Sequence, residues 1–103
     1  MPILIHFGRS DREKKKYVMR FVNPKMTVHF GSDGATTYVN GADETTRKNY
    51  IARHKVNENW DAINAGSASR YILWGEHKNI KKNLKDFIKR FGIHDNRKDY
   101  STK

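Results

Sequence analysis

The sequence predicts an α+β fold: a small antiparallel three-stranded sheet packed against two longer helices and one short helix. Three observations carry this. Tyr17 to Val22 and Met26 to Phe30 both alternate with period two, and Asn23-Pro24-Lys25 between them is a turn signal. Ile80, Leu84, Phe87, Ile88 and Phe91 recur at helical spacing, the clearest such period in the chain. Between these regions, Arg47 to Gly75 holds both tryptophans and the densest mix of aromatic, Arg and His residues. At 103 residues the natural count is one domain. Its expected extent is residues 1–93, with 1–14 as a candidate N-terminal arm and 94–103 as a flexible polar tail.

Taken in order, Ile3 to Phe7 reads either as an added N-terminal strand or as an arm that docks on a partner. Gly8 to Lys16 is a charged linker ending in Lys14, Lys15 and Lys16. That run suits a protected strand edge and a phosphate-contacting arm equally well. In the first strand Tyr17, Met19 and Phe21 share a face, and in the second Met26, Val28 and Phe30 do. Gly31-Ser32-Asp33-Gly34 is a turn, and Ala35 to Val39, rich in β-branched residues, is the third candidate strand. Asn40-Gly41 breaks it.

Asp43 is placed to cap an amphipathic helix over Glu44 to Asn57, with Arg47, Tyr50, Ile51 and His54 on one face. Trp60 should fold back onto the core. Ala65-Gly66 is a permissive loop. Ser67 or Ser69 can cap a short helix from Arg70 to Trp74, which Gly75 stops. Asn79 can cap the last helix, Ile80 to Phe91, and Gly92 ends it.

The formal net charge is +10 and the hydrophobic fraction only 36%. Such an excess on a short chain points to polyanionic partners: nucleic acid, an acidic membrane surface or an acidic protein face. The absence of cysteine excludes disulfides and thiolate zinc sites and fits a reducing compartment. No apolar run approaches the roughly 20 residues of a membrane span. The first residues are too short an apolar stretch for a signal peptide and lack a leading positive charge. A soluble protein working where it is made is therefore expected.

Little in the residues points to a reaction. No His-Glu-x-x-His pair and no Gly-rich phosphate loop is present. His54 and Glu58 lie one helical turn apart. They could orient a general base, but such a spacing more often makes a surface pair worth a few tenths of a kcal/mol, and no nucleophile accompanies them. Trp60 and Trp74 could stack on bases, although core packing is the commoner use of tryptophan in a small domain. The last helix opposes its apolar stripe with Lys81, Lys82, Lys85, Lys89 and Arg90. These five, with Lys14, Lys15, Lys16, Arg47 and Arg53, are the candidate contacts to nucleic acid or an acidic partner. No base-reading constellation is visible, so little sequence preference is expected. No catalytic residue, cofactor or metal is predicted.

Several segments in order give a family resemblance. They are Val28-His29-Phe30-Gly31, Tyr50-Ile51-Ala52-Arg53-His54, Glu58-Asn59-Trp60, and Ala65-Gly66 with Ser69-Arg70-Tyr71-Ile72-Leu73-Trp74-Gly75, followed by the Lys/Arg-Phe helix. This set, over about Lys15 to Ile93, resembles a family of small basic proteins of unknown function encoded by large double-stranded DNA viruses and some tailed phages. Family members carry a more acidic, Pro-containing segment where Asp43-Glu44-Thr45-Thr46 stands here. The resemblance brings no activity with it. It implies a viral gene product located in the virion, and in the cytoplasm or nucleus of the host during infection. Residues and resemblance together lead to a non-enzymatic structural protein of the virion, a minor capsid or internal component. Its partners would be other virion proteins and nucleic acid without sequence preference. The alternatives are a free DNA- or RNA-binding accessory protein and a small metal-dependent nuclease.

Overall fold

A computed structural model describes residues 1–97. The fold is α+β, a four-stranded mixed sheet packed against helices. Strands β1 (Ile3–Arg9), β2 (Lys15–Val22) and β3 (Met26–Ser32) are followed by a 3₁₀ turn at Tyr38–Asn40. Helix α1 is Glu44–Lys55. Helix α2 (Ala65–Ala68) runs directly into a π-helical turn, Ser69–Leu73. Helix α3 is Ile80–Arg90, and a short strand β4 (His94–Asp95) ends the described chain. The sheet order is β3-β2-β1-β4.

The two alternating segments form the expected hairpin, with Tyr17 opposite Phe30, Met19 opposite Val28 and Phe21 opposite Met26. The strands extend beyond the alternating cores, to Lys15 and Ser32, because the flanking polar residues still find ladder partners there. Ile3 to Arg9 is not a free arm. It pairs antiparallel with β2, with a register shift between Leu4 and His6 that keeps Leu4 and Phe7 on the inner face opposite Phe21 and Met19. Phe7, Tyr17 and Phe30 consequently meet as an aromatic patch, with Phe7 stacked on Tyr17 at 5.7 Å.

Ala35 to Val39 is not a strand. The Thr37 backbone N–H and its Oγ1 both donate to the Asn40 side-chain oxygen, and the Asn40 and Ala42 N–H groups donate to the Thr37 carbonyl at 3.1 and 3.0 Å. Local hydrogen bonding thus takes the groups a ladder would need, and β-propensity loses. Nor is the region after Ile93 wholly tail. Ile93 is buried, His94 N–H donates to Pro2 O at 2.9 Å and Asn96 N–H to Leu4 O at 2.8 Å, making β4 parallel to β1. Residues 98–103 of the expected tail lie outside the described residues.

Helix α3 follows its sequence pattern. Asn79 caps it by accepting from Lys82 N–H, and Gly92, at φ +61°, follows its C-terminal end. Leu84 and Phe87 are buried among Leu4, Met19, Phe21, Ile72 and Leu73, with Ile80, Ile88 and Phe91 packed at the margin. Each fully buried side chain of this kind contributes about 1.5–3 kcal/mol.

Helix α1 is capped by Asp43, as expected, but it is shorter than predicted and buries no residue fully. The short helix starts earlier than predicted, at Ala65. Its cap is Asn64, whose side chain and Ser67 bond each other's backbone N–H groups. Gly75 does follow that helix, for a reason of space: a Cβ there would sit 2.2 Å from the Tyr71 carbonyl oxygen and 2.8 Å from the Asn83 amide.

Candidate functional site

Two regions of the molecule concentrate chemistry: the outer face of α3, and a pocket where α1 and α2 approach the end of β3.

On α3, Lys81, Lys82, Lys85 and Lys89 are all exposed on the side away from Leu84 and Phe87. Spacings of three and four residues put them on adjoining turns of one surface. Arg90 is exposed as well, with its guanidinium 4.0 Å from the Tyr71 ring centroid. Asp86, the acidic residue of this helix, faces His77 at 3.3 Å.

The other candidate cations are distributed differently. Lys14, Lys15 and Lys16 span the turn into β2. Lys14 adopts φ +72°, Lys15 is exposed, and Lys16 Nζ donates to Ala35 O at 3.0 Å, fastening β2 to the 33–37 loop. Arg53 projects from α1 and is exposed. Arg47 lies elsewhere in function. Its side chain is only 11% exposed, and its Nε donates to the carbonyls of Trp74 (3.2 Å) and Gly75 (3.0 Å) while its terminal nitrogens meet Glu44 and Glu76. Those donors serve the fold, holding α1 to the end of the π-helical turn.

Tyr50 completes that attachment. Its ring is sandwiched between Trp74 (4.3 Å, 7° between planes) and His54 (4.2 Å, 25°). Helix α1 is therefore docked by one arginine and one aromatic stack, both on the face that its sequence spacing groups as Arg47, Tyr50, Ile51 and His54. Burial, with the Glu58 charge adding to it, pushes the Tyr50 phenol up to about 12. The fold favours the neutral phenol. Its contribution to stability is complete below the ordinary value of 10.0 and is lost as pH rises through about 12. Urea midpoints measured across that alkaline window should fall more steeply for the native chain than for Tyr50→Phe. Parallel curves would show that the phenol contributes nothing.

Beside this stack lies a pocket of about 370 Å³, bounded by Lys15, Gly31, Thr36, His54, Glu58 and Ser69 among others. His54 Nδ1 donates to Glu58 Oε2 at 2.8 Å, and Trp60 Nε1 donates to Glu58 Oε1 at 2.7 Å. Gly66 packs below the carboxylate, where a Cβ would come within 3.0 Å of Glu58 Oε1. The His54–Glu58 pair predicted from spacing is thus real and sits on a pocket wall, anchored by Trp60. Trp60 is half-buried with Arg70 over its ring at 5.3 Å, whereas Trp74 is a core residue.

Spacing along one helix suggested the His54–Glu58 pair but could not supply Lys15, Thr36 and Ser69, which come from three separate segments. Asn83 was also missed as a structural residue, although a polar residue on the apolar side of α3 was a visible signal. Among the described residues, no three His, Asp or Glu side chains converge as metal ligands. No helix among the described residues is long and apolar enough to cross a membrane.

Over residues 4–54 the chain is similar to a family of unknown function, DUF5754. That match runs from β1 to His54 and ends before Glu58 and Trp60. No curated protein matches the chain, and no solved structure does.

Proposed function

We propose that this chain is a non-enzymatic structural component of a viral particle, a minor capsid or internal protein, that meets a polyanion through the outer face of α3. The observation that carries the polyanion reading is the division of that helix. Leu84 and Phe87 are committed to the core, which frees Lys81, Lys82, Lys85 and Lys89 to face outward together. A net charge of +10 adds a long-range attraction to the same class of partner. The sequence offers no base-reading constellation, so contact with nucleic acid would be to phosphates and without sequence preference. The particle assignment is supported by the sequence resemblance to small basic proteins of large DNA viruses and tailed phages.

The test is quantitative mass spectrometry of purified particles before and after a high-salt wash that strips the genome-associated fraction. Retention with the shell is the outcome expected of a capsid component whose charge serves protein contacts. Loss with the nucleic acid would identify an internal genome-contacting component, since phosphate contacts weaken steeply with salt. Absence from particles would overturn the structural assignment and leave a nucleic-acid-binding accessory protein of the infected cell.

A further inference from the structure

The pocket beside the Tyr50 stack has no part in contact through α3. Its volume of about 370 Å³ falls at the lower end of the range usual for small-molecule sites, roughly 300–1,000 Å³. That is space for a metabolite-sized group.

Both a carboxylate and cationic groups line it, and their hydrogen bonds differ. Glu58 lines it, but both carboxylate oxygens are engaged, one by His54 Nδ1 and one by Trp60 Nε1. The remaining ionisable cations on the wall are Lys15 and His54. Because Glu58 accepts from Nδ1, Nε2 is the imidazole nitrogen left for a ligand, and in the imidazolium form it donates. The ring cannot swing freely: Tyr50 stacks on it at 4.2 Å, and the Glu58 bond fixes its rotation. A donor held in this way loses little freedom on binding. Thr36 and Ser69, two hydroxyl-bearing residues, line the same pocket. An ammonium, an imidazole nitrogen and hydroxyls around a small space suit a compact anion with several acceptor oxygens.

We propose that this pocket binds a small molecule carrying a phosphate group, with His54 Nε2 and Lys15 Nζ as the groups that face the phosphate and Glu58 as the residue that positions His54. The inference is independent of polyanion contact through α3, since none of the α3 lysines lines the pocket.

The test is a titration of the full chain, followed by imidazole and amide NMR signals, with three probes: inorganic phosphate, adenosine 5′-monophosphate and uncharged adenosine. Saturable shifts at His54 and Gly66 are expected with the monophosphate and with inorganic phosphate, and none with adenosine. Tighter binding of the monophosphate would identify a phosphorylated metabolite, and equal binding would identify free phosphate. His54→Ala and Lys15→Ala should each weaken binding about tenfold, or 1.4 kcal/mol. Lys15 is exposed, so its variant keeps the test valid should His54→Ala disturb the Tyr50 stack. Glu58→Gln should weaken binding less than His54→Ala and move the His54 ring signals in the free protein. A variant with the α3 lysines neutralised should bind the monophosphate as the native chain does. The proposal is overturned if adenosine binds as well as its monophosphate, if shifts appear only on α3 and never saturate, or if Lys15→Ala and His54→Ala both leave the affinity unchanged.

Discussion

Replacing Asn83 by alanine is expected to lower the stability of the fold by about 2–4 kcal/mol. Asn83 has no exposed surface. Its amide nitrogen donates to Ile72 O at 2.9 Å and His77 O at 2.7 Å, and its oxygen accepts from His77 N–H at 3.0 Å. One side chain therefore fastens α3 to the segment that leaves the π-helical turn. The Ile72 carbonyl belongs to the last turn of a helix, where the backbone offers no partner further along. Alanine would leave the buried Ile72 carbonyl without a partner, at about 1–3 kcal/mol, and would free the carbonyl and N–H of His77, an exposed residue where water recovers part of the loss. It would also leave a small void. Urea denaturation of the two proteins measures the difference. Asn83→Leu is the sharper comparison, because it restores volume without restoring any hydrogen bond. A leucine variant as stable as the native chain would show that packing, and not the three bonds, is what Asn83 supplies.

The same residue shows what the sequence could and could not reveal. Asn83 stands one position before Leu84 and four before Phe87, on the apolar side of a strongly periodic helix. That position is a visible signal of burial, although the expected core face holds only the apolar residues. What it bonds to depends on where the segment around Ile72 to His77 turns, and no local pattern encodes that. Strands β2 and β3 were legible because alternation, a tight turn and burial of one face all agree. Ala35 to Val39 was misread because propensity describes how well a residue fits a pleated surface. It cannot foresee that Asn40 will bond the Thr37 backbone and oxygen first. β4 was illegible for a different reason. Two residues carry no period, and their pairing with Ile3 and Leu4 joins nearly opposite ends of the described chain.

At the candidate sites the division is similar. The α3 lysines could be assigned to an outer face because the apolar residues of the same helix fix which way it faces. Arg47 was grouped with them on charge alone. Charge does not report that two carbonyls and two carboxylates await that guanidinium. The His54–Glu58 pair was visible in the i, i+4 spacing, but Trp60 as its anchor and Lys15 as its neighbour across the pocket are products of tertiary structure. An arginine amid glutamates and helix ends is therefore more safely read as a clamp until its partners are known. A lysine on a helix whose opposite face carries a strong apolar period can be read as exposed from the sequence itself.

Reversing Lys81, Lys82, Lys85 and Lys89 to glutamate together is expected to leave the fold intact and to abolish polyanion binding. Each reversal removes two units of charge, so the net charge of +10 falls to +2 while every altered side chain remains on the exposed face. Stability should change little. Acidic residues gain from the helix dipole in the first turn and lose in the last, each by about 0.3–1 kcal/mol. Repulsion among the four lysines is replaced by repulsion among four glutamates. Binding responds differently. If each lysine neutralises one phosphate of duplex DNA, the slope of log affinity against log salt should lose about 0.9 for each lysine removed. A parallel set of lysine-to-glutamine changes separates the terms. Glutamine should produce the same loss of slope with a smaller loss of affinity, because attraction disappears without new repulsion. Equal circular dichroism spectra and urea midpoints would establish that the face, and not the fold, has changed. Duplex binding that survives the reversal with its salt slope unaltered would place the contact on other exposed cations, Arg90, Arg53 and the Lys14–Lys16 turn among them.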